Sequence, residues 1–177
     1  MAGDKRGETY GELPVFEHHH GRPEVWPGLR IDGLVRVATV LTEPELRELT
    51  RRSMTADFRC LEGWSVPNQN WEGIPLSVVL DIAGPTPEAR YAAVSAADFT
   101  IAVPLDADTA NILLATRLNG AELPEEHGGP CRLVSVEQAC YASVKWVDSI
   151  TLTATMPEET ARDIARARNA GVSSPSP

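Results

Sequence analysis

At 177 residues the chain is long enough for one domain with a real core, burying roughly 70% of the surface its unfolded form exposes, and too short for two independent ones. With 42% hydrophobic and 23% charged residues the composition is that of a globular protein, and a formal net charge of -9 excludes a broad phosphate-tracking surface, so nucleic acid is not an expected partner. A few Arg and Lys side chains converging on one pocket could still bind a single anion.

The opening MAGDKRGETYGELPVF carries no basic-then-apolar leader, and no apolar run approaches the ~18 residues of a membrane span. The chain therefore reads as cytoplasmic, with no membrane partner. Cys60, Cys131 and Cys140 are odd in number and lack zinc-site spacing, which argues against a disulfide framework and leaves at least one free thiol.

Residues 1–25, polar and rich in Gly, His and Pro, read as an arm lying over a domain that begins near Trp26 and runs to residue 156. Residues 29–35 alternate apolar and polar side chains, which predicts strand, turn at Asp32-Gly33, strand. Thr42 as N-cap, Pro44 in the first turn, early acids, and Leu46 and Leu49 at helical spacing predict a helix over 43–50. Residues 54–61 read as a strand ending in the Cys60-Leu61-Glu62-Gly63-Trp64 turn. Ile74-Pro75-Leu76 then introduces a helix carrying Val78, Val79, Leu80 and Ile82, stopped at Gly84-Pro85.

Five runs rich in β-branched residues follow, at 90–95, 99–104, 112–117, 132–136 and 144–155, separated by Asn-Gly and Gly-Gly-Pro signals. Pro157-Glu158-Glu159 starts a last helix over 157–170, and residues 171–177 form a disordered tail. The fold class expected is α+β: a mainly β, mixed-sheet domain with short peripheral helices.

Two places could carry chemistry. Cys60 ends a predicted strand and is followed by Gly63 and Trp64, so its thiol could face a pocket walled by the indole; the plainer reading is a buried core cysteine. In Glu125-Glu126-His127-Gly128-Gly129-Pro130-Cys131-Arg132, two glycines and a proline fix a backbone path past which an imidazole and a guanidinium can approach one ligand. Its plainer reading is an inter-strand loop.

These segments occur in an order that resembles the sulfite oxidase family of molybdopterin-binding domains. Cys60-Leu61-Glu62-Gly63-Trp64-Ser65 comes first, then Trp71-Glu72-Gly73-Ile74-Pro75-Leu76. Asn119-Gly120-Ala121-Glu122-Leu123-Pro124 leads into His127-Gly128-Gly129-Pro130-Cys131-Arg132, and Ser143-Val144-Lys145-Trp146 closes the series. The resemblance covers roughly residues 26–155. It implies a molybdenum centre held by the dithiolene of one molybdopterin with Cys60 as the protein ligand to the metal, a soft thiolate suited to a metal that changes oxidation state. It also implies that His127, Arg132, Ser143 and Lys145 contact the pterin and its phosphate, that Trp64 and Ser65 flank the cofactor, and that His20 matches an N-terminal histidine facing it.

The pattern departs from the family at Ala142, where a Lys or Arg is usual, at His18 in place of an arginine, and at Val136 in place of a proline. Thr116 stands where the sulfite-oxidising branch has a tyrosine, and that branch's arginines after the cysteine are absent, so sulfite is not the expected substrate.

Three functions remain open. The first is molybdopterin-dependent oxygen-atom transfer to or from a small oxo-anion, sulfoxide or N-oxide, with an external electron donor or acceptor because the haem segment of larger relatives is missing. The second is a cofactor-free enzyme acting on an organic small molecule in a pocket walled by Trp64, Trp71 and Trp146, with Cys60, His127, Glu62 or Asp98 as acid, base or nucleophile. The third is a non-catalytic binding domain.

Overall fold

The computed structural model describes residues 9–15, 22–60, 63–106, 108–135 and 142–171. The expectations that fall on His20, Glu62, Val136, Cys140 and the tail beyond residue 171 lie outside these described residues.

Two five-stranded sheets form the body. In the first, β2 (Thr39–Leu41), β1 (Leu29–Gly33), β10 (Ser149–Thr153), β5 (Tyr91–Ala96) and β6 (Phe99–Pro104) lie side by side in that order. β1 and β10 run parallel, with Ile31 opposite Ile150, while the other pairs are antiparallel. In the second, β3 (Arg52–Arg59), β4 (Ser65–Pro75), β7 (Ile112–Leu118) and β8 (Ala121–Glu122) follow one another and β9 (Arg132–Ser135) pairs with β7. The chain is thus mainly β, with three helices among the described residues: α1 (Glu43–Glu48), α2 (Leu76–Ala83) and α3 (Ala161–Gly171). No helix among the described residues is long and apolar enough to cross a membrane.

Local chemistry explains the helices. The Glu45 carboxylate accepts a hydrogen bond from the Thr42 backbone N–H at 2.8 Å, satisfying a donor at the start of α1, and Leu46 is the side chain this helix buries. α2 buries Leu76, Val79, Leu80 and Ala83 and stops at Gly84, which takes the left-handed conformation. These residues join Leu29, Ile31, Ile74, Val94, Val103, Leu114, Ile150 and Leu152 in a large aliphatic core. A smaller cluster forms around Trp64, Val66, Trp71, Leu118, Leu123 and Val134, with Leu13 of the N-terminal arm buried in it.

Five features differ from the expectations. Asp32-Gly33 is not a turn: β1 continues to Gly33, because its partner β10 runs alongside to Leu152, and the chain reverses only afterwards to form β2. Residues 65–75 form the longest strand described, unforeseen because Pro67, Asn68, Gln69 and Asn70 are poor strand formers; β3 pairs on both sides of a register shift at Pro67-Asn68, and β7 pairs with Trp71 to Pro75, which carries the strand through the stretch. Ile74 and Pro75 belong to this strand, so α2 begins at Leu76. Of residues 144–155 only Ser149–Thr153 is strand, since Trp146 sits at a φ of 55° that breaks extension. The last helix begins at Ala161 rather than 157: the Thr160 N–H donates to the Thr100 carbonyl and the Ala102 N–H to the Glu159 carboxylate, tying this stretch to β6 first.

Candidate functional site

Cys60 lies just past β3 on a turn closed by two backbone hydrogen bonds, from the Cys60 N–H to the Trp64 carbonyl at 2.9 Å and from the Gly63 N–H to the Cys60 carbonyl at 3.0 Å. The cysteine is half-buried and packs against the smaller cluster. There the Phe58 and Trp64 rings stack with centroids 5.7 Å apart, and Tyr10 meets Trp64 edge-on at 5.8 Å. Ser65 opens β4, and its carbonyl accepts a hydrogen bond from the Tyr10 N–H, so the arm packs directly over the cysteine turn.

Arg132, at the start of β9, is 4% exposed. Its guanidinium carbon lies 5.2 Å from the Phe58 ring centroid and 5.2 Å from that of Trp71, a placement in which two aromatic faces compensate part of the lost hydration. Its Nη1 donates to the His127 carbonyl at 2.9 Å. The aromatic cluster therefore links the cysteine turn to the His127 loop.

That loop is a 3-10 turn, Glu125–His127, ended by Gly128 at a φ of 104°. A Cβ on Gly128 would come within 2.9 Å of the Lys145 side chain, so the glycine is what lets Lys145 lie across the turn. Lys145 Nζ donates to the Glu126 carbonyl at 2.7 Å. Trp146 donates twice, from Nε1 to the Glu125 carbonyl at 2.8 Å and from its backbone N–H to the Gly128 carbonyl at 3.2 Å. Four successive carbonyls, 125 to 128, are thus taken by Trp146, Lys145, Arg132 and again Trp146.

The electrostatics follow from this packing. Burial first, and then the neighbouring Arg132 charge, push the Lys145 ammonium down to about 8, against a smaller opposing pull from Glu126. Burial, followed by Lys145 and Arg132, lowers His127 as well. Arg132 and Lys145 share a partly desolvated space, and an anion with several oxygens is a complement that such a pair favours. Cys131, fully buried with its thiol pushed up to about 12, is an inert core residue beside the half-buried Cys60.

These residues fit a cofactor that joins a metal-binding sulfur ligand to a phosphate: one accessible thiol on a closed turn, and a cationic cluster tied to it through shared aromatic rings. Among the described residues no three His, Cys, Asp or Glu side chains converge as an all-protein metal site, so a metal beside Cys60 would depend on ligands from outside the chain. Ala142 is buried in the aliphatic core, which leaves the cluster one cation short of the usual family pattern.

Not every candidate joins this cluster. Asp98 is exposed at the β5–β6 turn of the other sheet, where its carbonyl accepts the Thr160 hydroxyl, so it is not brought to Cys60 or His127. Trp64, Trp71 and Trp146 are 5%, 1% and 5% exposed and form packed interior instead of the walls of an open pocket. Ser143 is half-buried just before Lys145. The residues that sequence reasoning passed over are Phe58, as one face of the Arg132 sandwich, and Arg47, which pairs with Glu43 and Glu122. Arg47 borders a cleft of about 200 Å³ between α1 and residues 122–130, which Thr116 also lines but Cys60, Arg132 and Lys145 do not. No motif signals either residue; both depend on contacts between distant strands and helices.

Comparison with known proteins agrees with this geometry. Residues 16–161 match the family described as "Oxidoreductase molybdopterin binding domain". The chain is 31% identical over 147 residues to the uncharacterized oxidoreductase YuiH of Bacillus subtilis, covering 81% of this chain and 71% of YuiH. It is 34% identical over 128 residues to the protein-methionine-sulfoxide reductase catalytic subunit MsrP of Xanthomonas axonopodis, covering 60% of this chain and 38% of that protein. The sulfane dehydrogenase SoxCD of Paracoccus pantotrophus superposes with a TM-score of 0.69 at 27% identity, over 75% of this chain and 39% of the other. The chain spans well under half the length of MsrP and SoxCD. With that match running through both sheets and both loops of the cluster, the chain belongs to the oxidoreductase molybdopterin-binding domain family.

Proposed function

We propose that this protein binds molybdopterin and transfers an oxygen atom to or from a small substrate, with a sulfoxide as the favoured class and an external protein supplying or removing electrons. The observation that carries this reading is the pair of cations, buried Arg132 and half-buried Lys145, gathered with His127 on one loop and joined to the Cys60 turn through Phe58 and Trp71. The likeness to proteins named for methionine-sulfoxide reduction, together with Thr116 in place of a tyrosine, favours a sulfoxide over sulfite.

When bound, the molybdenum centre would supply two-electron redox chemistry that a polypeptide lacks. Cys60 provides its thiolate to the metal. Arg132 offers a planar, permanently charged donor to the phosphate and Lys145 a mobile point charge. His127, lowered by burial and by both cations, is neutral at physiological pH and able to donate or accept one hydrogen bond at the pterin. The aromatic cluster keeps water from the Arg132 charge, which strengthens its contacts.

The alternative, an organic substrate held between the tryptophans without a cofactor, draws no support from three buried indoles. The test is metal analysis, with release of the oxidised pterin, on protein from a host that makes molybdopterin. Near-stoichiometric molybdenum is expected, with X-ray absorption counting one sulfur neighbour fewer in Cys60→Ala than in wild type or Cys131→Ala. Folded wild-type protein without molybdenum would sink the proposal.

A further inference from the structure

Trp146 stands out because its backbone is costly. A bulky residue at a φ of 55° occupies a region that L side chains rarely adopt, and such strain persists only where the surroundings fix it. Here the left-handed turn brings two donors of one residue onto the two ends of the Glu125–Gly128 segment: the indole Nε1–H reaches the Glu125 carbonyl at 2.8 Å and the backbone N–H the Gly128 carbonyl at 3.2 Å. The carbonyls between these ends are the ones that hold Lys145 Nζ at 2.7 Å and Arg132 Nη1 at 2.9 Å. The indole is 5% exposed, and Lys145 Nζ lies 5.5 Å from its centroid.

We propose that Trp146 is a positioning residue of the cationic site: by gripping both ends of the Glu125–Gly128 turn it fixes the carbonyls that aim Lys145 and Arg132 together at an anionic group. The proposal rests on the reading of this cluster as the phosphate end of a cofactor site. A straight strand through residue 146 would point the indole away from the turn and leave the Glu125 carbonyl without this donor. Glu125 is also held from its carboxylate, by Arg22 of the arm at 2.6 Å, so the turn is braced on both sides.

The groups that act on Lys145 are Arg132, which disfavours its charge, and Glu126, which favours it; Lys145 in turn acts on His127, which also feels Glu12 of the arm. An anion binding to both cations requires Lys145 protonated, so its affinity falls as pH rises through about 8, where the lowered His127 is already neutral.

The experiment uses the full chain purified without cofactor, with sulfate as a probe whose charge is constant across the window, read as the sulfate-dependent rise in melting temperature. Trp146→Phe keeps an aromatic ring, though a smaller one, and removes the indole donor; it should need about ten-fold more sulfate for the same stabilisation. The pH at which the response is half lost should move upward, because a loosened turn rehydrates Lys145. Trp146→His, which keeps a ring N–H, should recover part of both. In wild type, hydrogen exchange of the Trp146 indole followed by NMR should slow on adding sulfate, a reading independent of whether any variant folds.

A Trp146→Phe protein with the wild-type sulfate response and pH midpoint overturns the proposal, as does a wild-type indole whose exchange sulfate does not alter. Absence of molybdenum in protein from a competent host, with the sulfate behaviour as expected, removes the oxygen-transfer reading while leaving the role of Trp146 standing.

Discussion

The two hydrophobic clusters are built from different chemistry. Among the described residues the larger, between β1, β10, β5 and α2, buries Leu, Ile, Val and Ala side chains with Cys131, and its aromatic neighbours Trp26 and Phe99 are only partly buried. The smaller, around β3, β4 and β7, is centred on Trp64 and Trp71 with Phe58 and Tyr10 at its edge, and the Arg132 guanidinium lies against two of those rings. An aliphatic core contributes stability by excluding water and making dense contacts. An aromatic core contributes less uniquely to stability, but its ring faces can hold a cation that an aliphatic wall would strongly disfavour. On the proposed reading of the site, this division puts fold maintenance in one half of the molecule and ligand chemistry in the other.

Mutations should break the two halves in different ways. The largest loss is expected for Ile150→Ala, which empties a fully buried position facing Ile31: about 2–5 kcal/mol of stability by urea unfolding, with no change in molybdenum per folded molecule. Loss of cofactor in this variant at temperatures where it stays folded would contradict the division.

Gly128→Ala should cost about 1–3 kcal/mol, because the residue sits at a φ of 104° and its new methyl would meet Lys145 at 2.9 Å. Unlike Ile150→Ala, it should also weaken the sulfate response by displacing Lys145, which the same melting experiment would register.

The smallest effect sharpens the comparison through pH. Lys145 titrates near 8 in the folded chain against an ordinary 10.5, so between those values the unfolded chain holds a proton that the folded chain lacks, and stability rises with pH. Below about 8 the lysine is charged in both states and adds no slope. Calorimetry of the cofactor-free protein should show a melting temperature that climbs across this window relative to Lys145→Met. A parallel pair of curves would mean that Lys145 is not desolvated.

Much of the fold was legible in the sequence where local signals agree with tertiary demands. The run Phe99–Pro104 is a strand with the expected bounds, and Thr42 and Gly84 mark helix ends because their capping chemistry is local. β4 was hidden because its Pro-Asn-Gln-Asn stretch has the composition of a loop, and only pairing of β3 on either side of that stretch makes it continuous with the part that β7 joins. For the candidate site, residue chemistry pointed to Cys60, His127 and Arg132 and the family resemblance added Lys145, whereas Asp98, chosen for its chemistry alone, lies on the other sheet.

By itself the sequence determined the fold class, the family resemblance and the presence of two thiols, one imidazole and two cations in ordered motifs, because these depend on residue identity and short-range pattern. Tertiary structure alone decided that Arg132 would lie against Phe58 and Trp71, and that Trp146 would leave the strand path to grip the Glu125–Gly128 turn. Those arrangements depend on hydrogen bonds and ring contacts between segments far apart in the chain, and on a backbone strain that no local preference would select.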